Sequence, residues 1–293
     1  LSGMLLVYGE GDGRYDQYGV DSFLRPMAGE LEALDCRRPA PWDVAECDDA
    51  LLVPDPVLTD YFLNYLGGSL PWYGIEPAPA PAELLARLTE RYPRLWLARD
   101  RNAETDDAEG RREAERYLTD HAYKLSEERF DDWARLLSFS AAGTPAEEGT
   151  DGPALGEFDL EGYTLRLEGR PADAPAEPLD DGRVAAQAGD VLQLELRWRA
   201  TEQPAANYTL FLQLLDAGGQ VQAQRDRWPG DGLYPTAGLA QGDLLRDRLA
   251  LPLDVAPGQY RLIAGWYRSD AEGMPRLAGP AGDFVPLAEI EVR

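Results

Sequence analysis

Lysine is nearly missing from this 293-residue chain: among 28 basic residues only Lys124 is lysine, and the rest are arginine. Against 53 acidic residues this leaves a formal net charge of −25. Such a balance excludes the basic footprint that nucleic-acid binding needs, and attachment to anionic lipid through charge alone. The surplus acid reads as solvated surface that keeps the chain soluble. Histidine is equally scarce. His121 stands alone, which excludes histidine-based metal hydrolysis and leaves a Ser-His-Asp triad one candidate, with no GxSxG elbow beside it. At the end of a charged helical pattern, a helix-dipole or solvent contact accounts for it.

Cysteine is limited to Cys36 and Cys47, with no CxxC or Cys/His spacing to hold zinc. In an oxidising compartment the two would close a short disulfide loop across residues 37–46; in a reducing one they are separate thiols. No run approaches the roughly 18–20 apolar residues of a membrane-crossing helix. The start LSGMLLVY lacks the basic region of a signal peptide and reads as a first strand or as the end of something hydrophobic. Neither GxGxxG after a strand nor GxxxxGK[ST] occurs, so no cofactor is expected. Asp12, Asp16 and Asp21 lack the spacing and the closing glutamate of a calcium loop. Asp48-Asp49, Asp131-Asp132 and Asp180-Asp181 are carboxylate pairs of the kind glycan hydrolysis uses, but in polar, turn-like contexts.

What is present divides in two. Residues 1–141 alternate helical and strand patterns. Apolar residues at Val20, Phe23, Leu24, Met27, Leu31 and Leu34 have helical spacing, and Ala50–Val53 is an apolar run of buried-strand type. Asp55–Leu66 follows as a helix with Asp55 as N-cap and Pro56 at its first position, closed by Gly67-Gly68. A strand at 71–75, a helix over 82–92, a strand over 94–98 and a charged helix over 106–119 come next. A hairpin of 122–130 and 133–139 ends the half. This order predicts an α/β layer domain. Residues 142–156, rich in Gly, Pro, Glu and Thr, read as a linker.

From residue 157 the period becomes two. Leu192, Leu194, Leu196 and Trp198 alternate with Gln193, Glu195, Arg197 and Arg199, and similar strands recur to Val292. Short strands with Gly/Pro turns over 157–293 predict an antiparallel β-sandwich, Ig-like or jelly-roll-like. Its centre is NYTLFLQLLDAGGQVQAQRDRWPGDGLYPT (207–236): a strand covered on both faces, a glycine turn, a half-exposed strand, then a shaped loop presenting Trp228 and Tyr234. Trp198, Trp266 and Phe211 are expected in the core. Asp226, Trp228, Asp231 and Tyr234 are the candidate binding residues, because a sugar site stacks rings on aromatics framed by carboxylates and arginines.

These segments also resemble a known family. ALLVPDPVLTDYFLNYL (50–66), RYPRLWLAR (91–99), RLLSF (135–139), FDLEGYTL (158–165), GDVLQLELRWRA (189–200), NYTLFLQLLDAGGQ (207–220), RDRWPGDGLYPT (225–236), GDLLRD (242–247) and PGQYRLIAGWYR (257–268) are similar to the C-terminal soluble region of bacterial membrane glycosyltransferases. Those enzymes resemble the dolichyl-phosphate-mannose protein mannosyltransferases. Gly238-Leu239 departs from the tryptophan expected there, and the cysteine pair is no part of the pattern. The resemblance implies a non-catalytic accessory region on the extracytoplasmic face of the cell membrane. Its partners would be the membrane portion of the same polypeptide and a glycan or glycosylation acceptor. The catalytic acids would lie in that membrane portion, so no residue here inherits a catalytic role, and LSGMLLVY would be the tail of the last membrane helix. The alternatives are a secreted carbohydrate- or protein-binding module and a glycan hydrolase using paired carboxylates.

Overall fold

The computed structural model describes residues 26–31, 34, 47–53, 70–74, 82–100, 113–130, 134–141, 144–150, 152–168, 183–280 and 282–293. The expected helix at 55–66, Cys36, the aspartates at 12, 16 and 21, and the acid pairs 131–132 and 180–181 lie outside these. Packing divides the chain into two compact units: Leu1–Pro81, Arg94–Ala114 and Ser126–Ser138 in one, and Ala82–Pro93, Glu115–Leu125 and Phe139–Arg293 in the other. The expected split into 1–141 and 157–293 therefore differs from the packing, which counts residues 82–93 and 115–125 with the C-terminal strands.

The first sheet contains β1 (Asp49–Val53), β2 (Trp72–Gly74), β3 (Arg94–Asp100), β4 (Tyr123–Phe130) and β5 (Ala134–Ser140), in the order β2-β1-β3-β5-β4. β1 pairs parallel with both neighbours, Leu51 opposite Trp72 and Ala50 opposite Leu95. A parallel strand covered on both faces must be apolar throughout, and residues 50–53 are all buried. In the first unit the helical residues 26–31 place Met27 and Leu31, one turn apart, in a cluster with Leu51, Val53 and Phe130. The Trp96 indole N–H donates to Asp49 at 2.7 Å.

Among the described residues, the second unit holds the helix Ala82–Arg91, most of the helix Glu113–His121, and ten further strands. These are β6 (Thr144–Thr150), β7 (Ala154–Leu155), β8 (Phe158–Leu167), β9 (Val184–Ala186), β10 (Val191–Ala200), β11 (Thr209–Leu215), β12 (Val221–Arg227), β13 (Leu244–Pro252), β14 (Gly258–Tyr267) and β15 (Val285–Val292). One sheet runs β13-β10-β8-β6, with β7 also on β8; the other runs β12-β11-β14-β15-β9. Pairing is antiparallel except between β15 and β9. Inward side chains of both sheets, such as Leu194, Leu196 and Trp198 on β10 and Leu210, Leu212 and Leu214 on β11, share one hydrophobic cluster. At its centre the Trp198 and Trp266 rings meet edge to face at 5.4 Å, and Phe158 stacks on Trp266 at 4.6 Å.

Within the expected linker 142–156, residues 144–150 and 154–155 lie in strands. β6 pairs antiparallel with β8, from Thr144 opposite Leu167 to Thr150 opposite Gly162. Pro145 sits at the register shift before Glu147. An edge strand at a bulge is where a sheet accepts a residue without an N–H, so a Pro- and Gly-rich composition is compatible with pairing here.

Candidate functional site

The loop after β12 is held from within. Trp228 continues the strand in an extended conformation (φ −69°, ψ 145°), and Pro229–Gly232 then forms a 3₁₀ turn in which Gly230 and Asp231 have φ of 57° and 53°. Glycine takes that region freely; for Asp231 it costs on the order of 1–2 kcal/mol. Two ion pairs offset the strain: Lys124 Nζ lies 2.9 Å and Arg227 Nη1 3.3 Å from its carboxylate. Burial alone would raise the Asp231 pKa. The two cations outweigh it and hold the carboxyl below the usual range.

Beneath the turn, the Asp247 carboxylate on β13 accepts from Arg227 at 2.7 Å and from the Gly230 backbone N–H at 3.0 Å. Arg227 also donates to the Arg248 carbonyl. Asp247 is buried, which pushes its carboxyl up against the opposing pull of Arg227. Further along, the Tyr234 ring packs against Gly230, where a Cβ would come within 2.5 Å of it. Its hydroxyl donates to Asp120 at 2.5 Å. Burial, then the Asp120 carboxylate, push the Tyr234 phenol up. Thr236, fully buried, accepts from the Tyr208 N–H at 2.8 Å and donates to the Ala206 carbonyl at 3.0 Å.

The four sequence candidates thus separate. Asp231 and Tyr234 are engaged with residues of their own unit. Trp228 remains 43% exposed. Asp226, exposed on β12, belongs to a different group, on the side of β12-β11-β14 that faces away from the shared core.

On β11 the inward residues are Leu210, Leu212 and Leu214, so alternation turns Phe211 and Gln213 to the other side. Phe211 stands opposite Gly265 and Asp226, and its ring occupies the place a Cβ on Gly265 would take, 2.5 Å away. The Arg276 guanidinium lies 4.2 Å over the Phe211 ring and donates to Gln213 Oε1 at 3.0 Å. Gln213 in turn donates to Gln224 Oε1 at 3.3 Å. Arg276 also has Asp283 at 3.7 Å. The Tyr267 ring lies 6.4 Å from that of Phe211. Burial raises the Asp226 pKa, while Tyr267 and Arg276 oppose the rise.

Sequence reasoning missed Arg227, Asp247, Lys124, Gln224 and Arg276 as members of these groups. Only Tyr267 carried a signal, since it follows the buried Trp266 in an alternating strand. Cys47 is disulfide-bonded; Cys36, its expected partner, lies outside the described residues. Among the described residues no group of three or more His, Cys, Asp or Glu could hold a metal ion, and no helix is long and apolar enough to cross a membrane.

No protein-family model matches the chain, and no curated protein sequence matches it. Among solved structures, the C-terminal domain of wzt is 14% identical, with 52% of this chain and 81% of that chain covered and a TM-score of 0.30. An endonuclease/exonuclease/phosphatase from Beutenbergia cavernae is 12% identical, over 73% of this chain and 61% of that chain, with a TM-score of 0.19. Likenesses this slight carry neither a fold assignment nor a function.

Proposed function

We propose that this chain is a non-catalytic extracytoplasmic region of a bacterial membrane glycosyltransferase similar to the dolichyl-phosphate-mannose protein mannosyltransferases. It would be built of an α/β layer domain and an antiparallel β-sandwich, the sandwich contacting glycan or acceptor. The observation that carries this reading is the 225–236 loop. The segment with the most specific resemblance is pinned from beneath by Asp247 and flanked by Lys124 and Asp120, yet leaves Trp228 exposed. An aromatic ring on a pre-organised turn binds at little entropic cost. The bonded Cys47 supports an oxidising compartment outside the cytoplasm. Chemistry on the lipid-phosphate sugar would belong to the membrane portion.

Two tests bear on it. The coding sequence upstream of Leu1 should encode hydrophobic spans in the same frame; a gene without them overturns the membrane-enzyme reading and leaves a secreted binding module. On an immobilised panel of neutral hexose oligosaccharides, the chain should bind, and Trp228→Ala should weaken binding by at least about tenfold, as for an aromatic anchor. Absence of binding to every glycan removes the glycan contact.

A further inference from the structure

We propose that the outward side of β10 and β13, at Arg199 and Arg246, binds a phosphate group carried by a small molecule. The site lies on the sheet that does not carry the 225–236 loop, so it stands or falls independently of the glycan contact.

The pleat sets the site. Trp198 and Leu245, opposite each other in the register, are buried in the shared core, so Arg197, Arg199, Leu244 and Arg246 turn to the other side. Arg197 stands directly opposite Arg246, and Arg199 opposite Leu244. Like charges so placed repel, with Cβ atoms about 4.5–5.5 Å apart. One carboxylate relieves them: Glu195 has Arg248 at 2.5 Å, Arg197 at 3.4 Å and Arg246 at 3.5 Å. Arg197 lies across β8, where it donates to Thr164 Oγ1 at 3.3 Å and its Nη2 fills the space beside Gly162. Arg246 is less committed. Its side chain is 54% exposed, and among the described residues the distant Glu195 carboxylate is its one partner. Arg199 gives Nε to Glu161 and Nη1 to the Gly242 carbonyl, which leaves Nη2 open on a side chain that is 43% exposed.

Open guanidiniums on neighbouring strands call for an anion. Arg199 and Arg246 are diagonal neighbours, about 7–8 Å apart at Cβ, a gap that long side chains bridge. A carboxylate has two oxygens in one plane and is satisfied by one guanidinium. A phosphate has three terminal oxygens in a tetrahedron and accepts from two guanidiniums at once. On the outward side of residues 159–161, 195–199 and 244–248, arginine outnumbers acid: Arg197, Arg199, Arg246 and Arg248 against Asp159, Glu161 and Glu195. A ligand whose charge stays within a Debye length of about 8 Å meets that surplus, whereas a polyanion or an anionic bilayer also meets the rest of a chain at −25. Leu244, exposed beside Arg199, offers the ligand's carbon skeleton an apolar contact.

The test is calorimetric titration of the whole chain with methyl phosphate, with acetate and phosphatidylglycerol vesicles as separate arms and chloride holding the ionic strength constant. Methyl phosphate should bind at least about tenfold more tightly than acetate, and Arg246→Thr and Arg199→Gln should each weaken it by about tenfold or more, as loss of a hydrogen-bonded charge does. Thermal melting separates this role from a structural one. Arg246→Thr removes a repulsive cross-strand pair, so it should melt no lower than the parent, and methyl phosphate should raise the melting temperature of the parent but not of the variant. An Arg246→Thr variant that melts well below the parent assigns the arginine to the fold and overturns the site. No binding of methyl phosphate by the parent, or binding unchanged in both variants, overturns it too, and neither result bears on Trp228. Equal affinity for acetate overturns the assignment to phosphate. Capture by the vesicles without binding of methyl phosphate overturns the proposal in favour of a membrane-facing patch.

Discussion

Arg227 is committed to the interior of its own chain. Its guanidinium spans the carboxylates of Asp247 and Asp231, so removing it leaves the buried Asp247 without its cation. Arg227→Met should destabilise the protein by roughly 3–5 kcal/mol, the usual cost of orphaning one member of a buried pair. Adding Asp247→Leu should recover much of that loss, since an apolar replacement of both partners is often neutral. Urea denaturation of the two variants measures it; equal losses would mean that the pair is not what holds the loop. This residue scale was the least legible in sequence. Asp231 and Tyr234 advertise a shaped loop, but their partners Lys124 and Asp120 lie more than a hundred positions earlier, and composition carries no record of such pairing.

Strands buried on alternate positions were legible as elements. Leu192 to Trp198 announces β10 because the pleat repeats every two residues, and all four of its apolar positions are fully buried. β6 and β9 were not legible. β6 takes its order from pairing with β8 rather than from its own propensities, and β9 spans three residues, too few to show a period. Close approach of segments is likewise invisible in composition. Gly279 lies where a Cβ would come within 1.7 Å of the Ala154 carbonyl, backbone that cannot swing aside. Gly279→Ala should therefore cost about 1–3 kcal/mol or more by thermal denaturation, as overpacking does. Gly238→Ala, with nothing within 4 Å of the new methyl, should stay within about 0.5 kcal/mol.

At the scale of the molecule, residues 115–125 count with 139–293, so a cut at the apparent linker would divide a packed unit. A fragment starting at residue 142 lacks Lys124 and Asp120, and with them one ion pair of the strained Asp231 and the acceptor of Tyr234. Amide hydrogens of residues 230–236 should exchange at least about tenfold faster in that fragment than in the whole chain. Equal protection would show that the Asp247 contacts suffice. The bulged margin has a further consequence. Among the described residues β6 ends its sheet, and a strand that ends a sheet is a template for recruiting other chains. Pro145 interrupts that template, since a ladder of backbone bonds growing along this edge meets a position with nothing to donate. A stretch of sequence that looks little like structure thus puts a residue that cannot donate into the strand most open to a newcomer.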